Sequence, residues 1–225
     1  MKFDYENQLN GKFCLRQEAD DATDVLSFPR ELRADITLMN VQPLNALLAG
    51  SLLFGALDNG HFISSPEASL ELDRTFRRLF GEYSPHLNVN PLKQAEPEDH
   101  TQLILADYRS EATPAQPEGK GRNVLIQTRD SAQWTGKLFS LDRVEFAVNK
   151  SVFADSRHSS ELRFNVALGL LLAGDWRSSS LVVEDSIGEG EQSKKELAEL
   201  CAAIGIQLTV VSSEILEGML NDVQA

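Results

Sequence analysis

Leu181-Val182-Val183-Glu184-Asp185 and Ile206-Gln207-Leu208-Thr209-Val210-Val211 enclose one helical segment, and the reading of this stretch decides the fold. Each run is short, apolar and rich in β-branched residues, and each leads into a helix-forming stretch, about 191–204 and about 213–222. A strand, a helix and a second strand in this rhythm form a sheet with helices packed on it, including parallel neighbours. The chain is therefore read as α/β, with a central mixed sheet and a C-terminal β-α-β-α layer. A mixed α+β arrangement is the alternative for its N-terminal part.

Working outward, the segment before Leu181 is a helix that starts at a cap, Ser156 or Ser159, and ends at Gly174. From Phe164 to Leu172 it is apolar nearly all round apart from Asn165, so it has to be covered on more than one side. Asn123–Thr128 and Gln102–Tyr108 read as strands, and 136–148 holds one or two more. Between them, Ser110–Gly121 carries Pro114, Pro117, Gly119 and Gly121, the composition of a surface loop or linker. It divides an N-terminal region, 1–109, from a C-terminal α/β region, 122–225, unless the two are one continuous domain.

Nearer the N-terminus, Asn10-Gly11 is a turn between Phe3-Asp4-Tyr5 and Lys12-Phe13-Cys14-Leu15. Asp35–Val41 reads as a strand feeding a buried helix over 43–57, where Ala46, Ala49 and Gly50 permit a close neighbour. His61-Phe62-Ile63 reads as a short strand. Ser65-Pro66 then offers a cap with proline at the first helical position, and Gly81 closes that helix. Leu87-Asn88-Val89 is an edge strand.

A chain of 225 residues with 42% hydrophobic content can bury a core without metal or disulfide. Its two cysteines, Cys14 and Cys201, read as reduced buried thiols. The charged N-terminus lacks the apolar core of a signal peptide, and the apolar window 44–57 is shorter than the roughly 20 residues that span a bilayer. These features point to the cytoplasm and away from a membrane. A net charge of −13 opposes general attraction to nucleic acid. Residues 120–163 run the other way, with eight basic side chains against five acidic ones.

Within 123–185 the order strand, strand, strand, helix, strand resembles the core of PD-(D/E)XK nucleases. In that family an Asp and a Glu-x-Lys hold a divalent metal that activates water, chemistry that needs hard oxygen ligands and a nearby cation. The resemblance implies Asp130 or Asp142 as the first acid, Glu145 as the second, Lys150 as the cation and magnesium as the cofactor. Arg157, His158 and Arg163, in the polar first turns of the next helix, would face the nucleic acid. The pattern departs from the family two residues after Glu145, where Ala147 stands in place of lysine. Glu145 and Lys150 would point to opposite faces of an unbroken strand.

Leu181–Asp185 also looks like the first strand of a response-regulator receiver, but too little chain follows for the later strands, and no function is carried from it. The glycines of Ser186–Glu191 sit where a phosphate could be cradled, yet Glu189 and Glu191 would repel it. The four histidines are scattered, and no nucleophile elbow occurs. With no catalytic set in the sequence, the expected function is that of a binding or assembly subunit acting through protein contacts, without cofactor. A nuclease-like protein or its inactive relative is the second expectation. The third is a small-molecule enzyme whose cleft lies at the strand C-terminal ends, near Asp185 and Ser212.

Overall fold

In the computed structural model the described residues are 2–19, 29–55, 67–80, 87–90, 101–107, 112–117, 121–131, 137–154, 160–185 and 190–222. The chain begins with a hairpin, β1 (Lys2–Asn7) and β2 (Phe13–Glu18), followed by β3 (Glu31–Ala34), helix α1 (Pro43–Phe54) and the short β4 (Glu67–Ala68). Helix α2 (Leu70–Phe80), β5 (Asn88–Val89), β6 (Thr101–Asp107), β7 (Ala112–Pro114), β8 (Arg122–Asp130), β9 (Lys137–Phe139) and β10 (Arg143–Val148) come next. The last third holds α3 (Ser151–Ala154), α4 (Glu161–Trp176), β11 (Ser178–Glu184), α5 (Glu191–Ala202), β12 (Gln207–Val211), α6 (Ser213–Met219) and β13 (Leu220–Asp222).

Nine of these strands form one mixed sheet in the order β1-β2-β3-β10-β8-β6-β11-β12, with β9 also paired to β10. The five strands β10, β8, β6, β11 and β12 are mutually parallel, and the N-terminal strands and β9 join them antiparallel. The α/β reading therefore holds, and one sheet takes strands from both sides of the 110–121 segment. The parallel part grows from β6 through β8 to β10. It then crosses back by α4 to β11, on the opposite side of β6. The connections from β6 and β8 run toward β10 and the one from β11 runs toward β12, so their direction reverses between β6 and β11.

One face of the sheet carries the main core. Leu103, Leu105, Val124, Ile126, Val144, Phe146, Leu181 and Val183 pack there against α1, α2, α4 and α5. Helix α4 is covered by the sheet on one side and by α1 on the other, as its all-round apolar surface requires. Asn165 is buried within it, and Asn45 of α1 donates to the Leu170 carbonyl at 3.0 Å. The small face of α1 does admit a neighbour: a Cβ on Gly50 would come within 2.6 Å of the Phe3 ring. The opposite sheet face buries Ile104, Ala106, Leu125, Val182 and Val211 under a thinner layer made by α6 and the β7–β13 pair. Among the described residues, no helix is long and apolar enough to cross a membrane.

The N-terminal hairpin forms around Asn10-Gly11 as expected. Gly11 takes φ 78°, and Asn10 Oδ1 accepts the Lys12 N–H at 3.1 Å. The expected strand at Asp35–Val41 does not form. After Asp35 N–H bonds the Ala147 carbonyl, the backbone turns to side chains instead of a ladder. Asn7 satisfies both polar groups of Leu38, at 2.6 and 3.0 Å, and Asp175 accepts the N–H groups of Met39 and Asn40. Helix α2 also starts later than Ser65-Pro66 implied. Residues 67–68 pair in parallel with Asn88–Val89, and the cap is Ser69, whose Oγ accepts the Leu72 N–H at 3.1 Å. The expected strand at His61–Ile63 and the Ser186–Gly190 loop, apart from Gly190, lie outside the described residues.

Candidate functional site

Parallel strands end together, so the last residues of β6, β8 and β10 share one edge of the sheet. They are Asp107, Asp130 and Val148, and Lys150 follows the last of them after a single residue. Lys150 turns over this edge. Its Nζ donates to Asp107 Oδ1 at 2.6 Å and to Glu161 Oε1, on the first turn of α4, at 2.5 Å. One ammonium thereby ties the end of the central strand to the start of the crossing helix. Asp130 Oδ2 accepts the Ser151 N–H at 2.6 Å and holds the start of α3 beside it.

Behind this bridge lies a cleft of about 450 Å³ lined by Asp130, Lys150, Ser151, Phe153, Ala154, Ser160, Glu161 and Phe164. The rings of Phe153 and Phe164 stand 5.4 Å apart and form its apolar wall. Ser160 caps α4, accepting the Arg163 N–H at 3.2 Å, which places the N-terminus of a sixteen-residue helix at the cleft. Burial alone would depress the Lys150 pKa and is the largest single influence on it. The hydrogen bonds and charges of Asp107 and Glu161 together outweigh it and hold the pKa above the usual lysine range. At neutral pH this side chain is a cation.

Of the residues expected from the sequence, Asp130 and Lys150 meet at this cleft. Asp142 lies in the β9–β10 turn at the other end of the sheet, where its Oδ1 accepts from Ser140 Oγ at 3.1 Å. Six positions of parallel register separate that level from Asp130, about 20 Å of strand. Glu145 is buried in the middle of β10 on the opposite sheet face and is ion-paired with Arg143. It stands beside Gln127 of β8, and Lys150 points to the other face, toward α4. Arg163 lies one turn into α4, and Arg157 and His158 fall outside the described residues.

Asp185 pairs with Lys194 at 2.7 Å and Ser212 caps α6, so both are engaged in local structure. In the basic segment Arg143 and Lys150 are taken up by carboxylates, while Arg122 and Arg129 sit toward opposite ends of β8. On helix α2, Arg77 pairs with Asp73 at 2.9 Å and Arg78 with Glu199.

Asp107 and Glu161 are the site residues that sequence reading missed. Asp107 had one legible signal, a carboxylate closing the apolar run Leu103–Ala106 at a strand C-terminus. Glu161 had only its place in the polar first turns of the helix, whose cap is Ser160 and not Ser156 or Ser159. Among the described residues no three His, Cys, Asp or Glu side chains converge so as to hold a metal ion.

A second surface stands out by its exposure. The β9–β10 hairpin shows solvent Leu138 at 47%, Phe139 at 53% and Leu141 at 81%. No protein-family model, no curated protein and no solved structure matches this chain.

Proposed function

We propose that the chain binds a small molecule in the cleft at the C-terminal edge of its parallel strands. The observation that carries this reading is the Lys150 bridge from Asp107 to Glu161 above an aromatic-walled cavity. Open α/β sheets take ligands outside the carboxyl ends of their strands, and the cleft lies at that end of β8 and β10. A few charged groups over an apolar wall are the usual make-up of such a site. The two buried thiols suit a reducing compartment such as the cytoplasm, which supports that location.

The test is thermal unfolding of the full chain against a panel of amino acids, nucleotides, sugars and their phosphates, with Lys150→Met in parallel. A saturable rise in midpoint that the variant loses supports the reading. A panel without any saturable shift, or shifts that survive Lys150→Met in a folded variant, refutes it.

The second reading is a protein contact through the β9–β10 hairpin, favoured by the exposure of Leu138, Phe139 and Leu141 on one short edge element. Phe139→Lys together with Leu141→Asp should leave the fold intact and abolish any complex recovered from the native host. A complex that persists with this double variant removes the hairpin from consideration.

A further inference from the structure

We infer that a second cavity, at the seam between the N-terminal strands and the parallel sheet, binds a small hydroxylated phosphate monoester of sugar-phosphate type. The seam is narrow. Strand β3 meets β10 in the pair Ala34–Val148, and Asn149 joins the strands beyond it. Its Oδ1 accepts the Arg33 backbone N–H at 2.8 Å, and its Nδ2 donates to the Glu31 carbonyl at 3.1 Å. A cavity of about 830 Å³ opens there, with Ala34, Ala147 and Val152 as its apolar part. It shares no described lining residue with the cleft beside Lys150: α3 gives Val152 to one and Phe153 to the other.

The charge of this cavity runs against that of the chain. Lys12, Arg30 and Arg33 line it in a protein of net charge −13, opposed by Glu31 and Asp35. Glu31 is already spent, because one carboxylate oxygen is ion-paired with Arg33 and the other accepts from the Cys14 thiol at 3.6 Å. Lys12 and Arg30 are exposed, and their side chains have no ion pair or hydrogen bond among the described residues. Lys137 reaches the same hairpin tip, its Nζ 3.5 Å from where a Cβ on Gly11 would stand. Two unspent cations match the charge of a phosphate monoester, about −2 at neutral pH, and the Arg30 guanidinium offers the paired donors that phosphate oxygens accept. The rest of the lining selects the body that carries the phosphate. Asp35 is half-buried with an unbonded carboxylate, which only accepts, so it calls for hydroxyl donors on the ligand. Gln8 and Ser131 add polar groups, and no described lining residue is aromatic, so none stacks on a nucleobase.

Titration calorimetry with the full chain tests this, using glycerol phosphate, ribose phosphate and glucose phosphate, each beside its unphosphorylated parent, inorganic phosphate and adenosine monophosphate. At least one of the three esters is expected to bind about ten-fold or more tightly than all of its comparison compounds. Lys12→Gln together with Arg30→Gln, at two exposed positions, should abolish that binding and leave the urea midpoint unchanged. Asp35→Asn should weaken the ester several-fold and leave inorganic phosphate unweakened. No binding, a comparison compound within about three-fold of the ester, or binding that the double variant retains overturns the inference. Binding in this cavity survives Lys150→Met. A ligand of the other cleft is lost in that variant and kept in the double variant, so the two sites stand or fall separately.

Discussion

Gly174, near the end of α4, lies against the backbone of Asn40 so closely that a Cβ on it would overlap the Asn40 carbonyl oxygen. The neighbour is main chain and cannot swing aside. Gly174→Ala should therefore destabilise the protein by about 1–3 kcal/mol or more, as overpacking does. Gly218→Ala, on a helix with nothing within 4 Å of the new carbon, is the control and should gain up to about 1 kcal/mol. Urea midpoints of the two variants check the contrast.

Asp175 fixes the same junction from the side-chain end, accepting Met39 N–H at 2.9 Å and Asn40 N–H at 2.5 Å. A carboxylate at a helix C-terminus is disfavoured by the helix dipole, so these two bonds are the physical reason for its place there. Asp175→Ala leaves two backbone donors without it and should cost about 1–3 kcal/mol in urea unfolding. A change below about 0.5 kcal/mol would show that solvent replaces the carboxylate there.

Lys150 makes a prediction about alkali. Its folded-state pKa is raised above the ordinary lysine value, so the stability it contributes is fully present below that value. That contribution disappears as pH climbs through the folded pKa. Wild-type stability should fall above about pH 10.4, and Lys150→Met should flatten that part of the profile. A midpoint–pH curve for both proteins shows whether the alkaline limb is tied to this side chain.

Both thiols are predicted to be inert in the folded state. Burial pushes Cys201 up to about 12, and burial with the nearby Glu31 carboxylate pushes Cys14 up to about 11. Thiolate is the reactive form, so iodoacetamide at pH 8 should label neither residue until denaturant is added. Fast native labelling at Cys201 would show that the α5 packing opens readily.

What the sequence disclosed followed from local chemistry. The all-round apolar surface of Phe164–Leu172 could only be a helix covered on two sides, and α1 and the sheet cover it. The alternation after Leu181 also matched the β11-α5-β12 unit. Reading failed where partners came from far along the chain. Asp35–Val41 has a strand-like pattern, but Asn7 and Asp175 draw its backbone into side-chain bonds. At the cleft, Asp130 and Lys150 were singled out through the nuclease-like order of elements, and both stand at strand ends there. Glu145 was misleading, because the parallel register of β8 and β10 turns it to the far face with Arg143. Asp107 reaches Lys150 through the sheet order β6-β8-β10 and Glu161 through the placement of α4, events of topology that no local pattern records.

The β7–β13 pair bears on the order of events at the ribosome. Residues 112–114 leave the tunnel early, yet their partners are residues 220–222. Until those arrive, the apolar face bearing Ile104, Leu125 and Val182 has no lid, although the strands that carry it are already made. Parallel pairing is slow for the same reason of distance along the chain. The nascent protein therefore passes through an interval with one sheet face sealed by helices and the other exposed, when a holding chaperone would find its target.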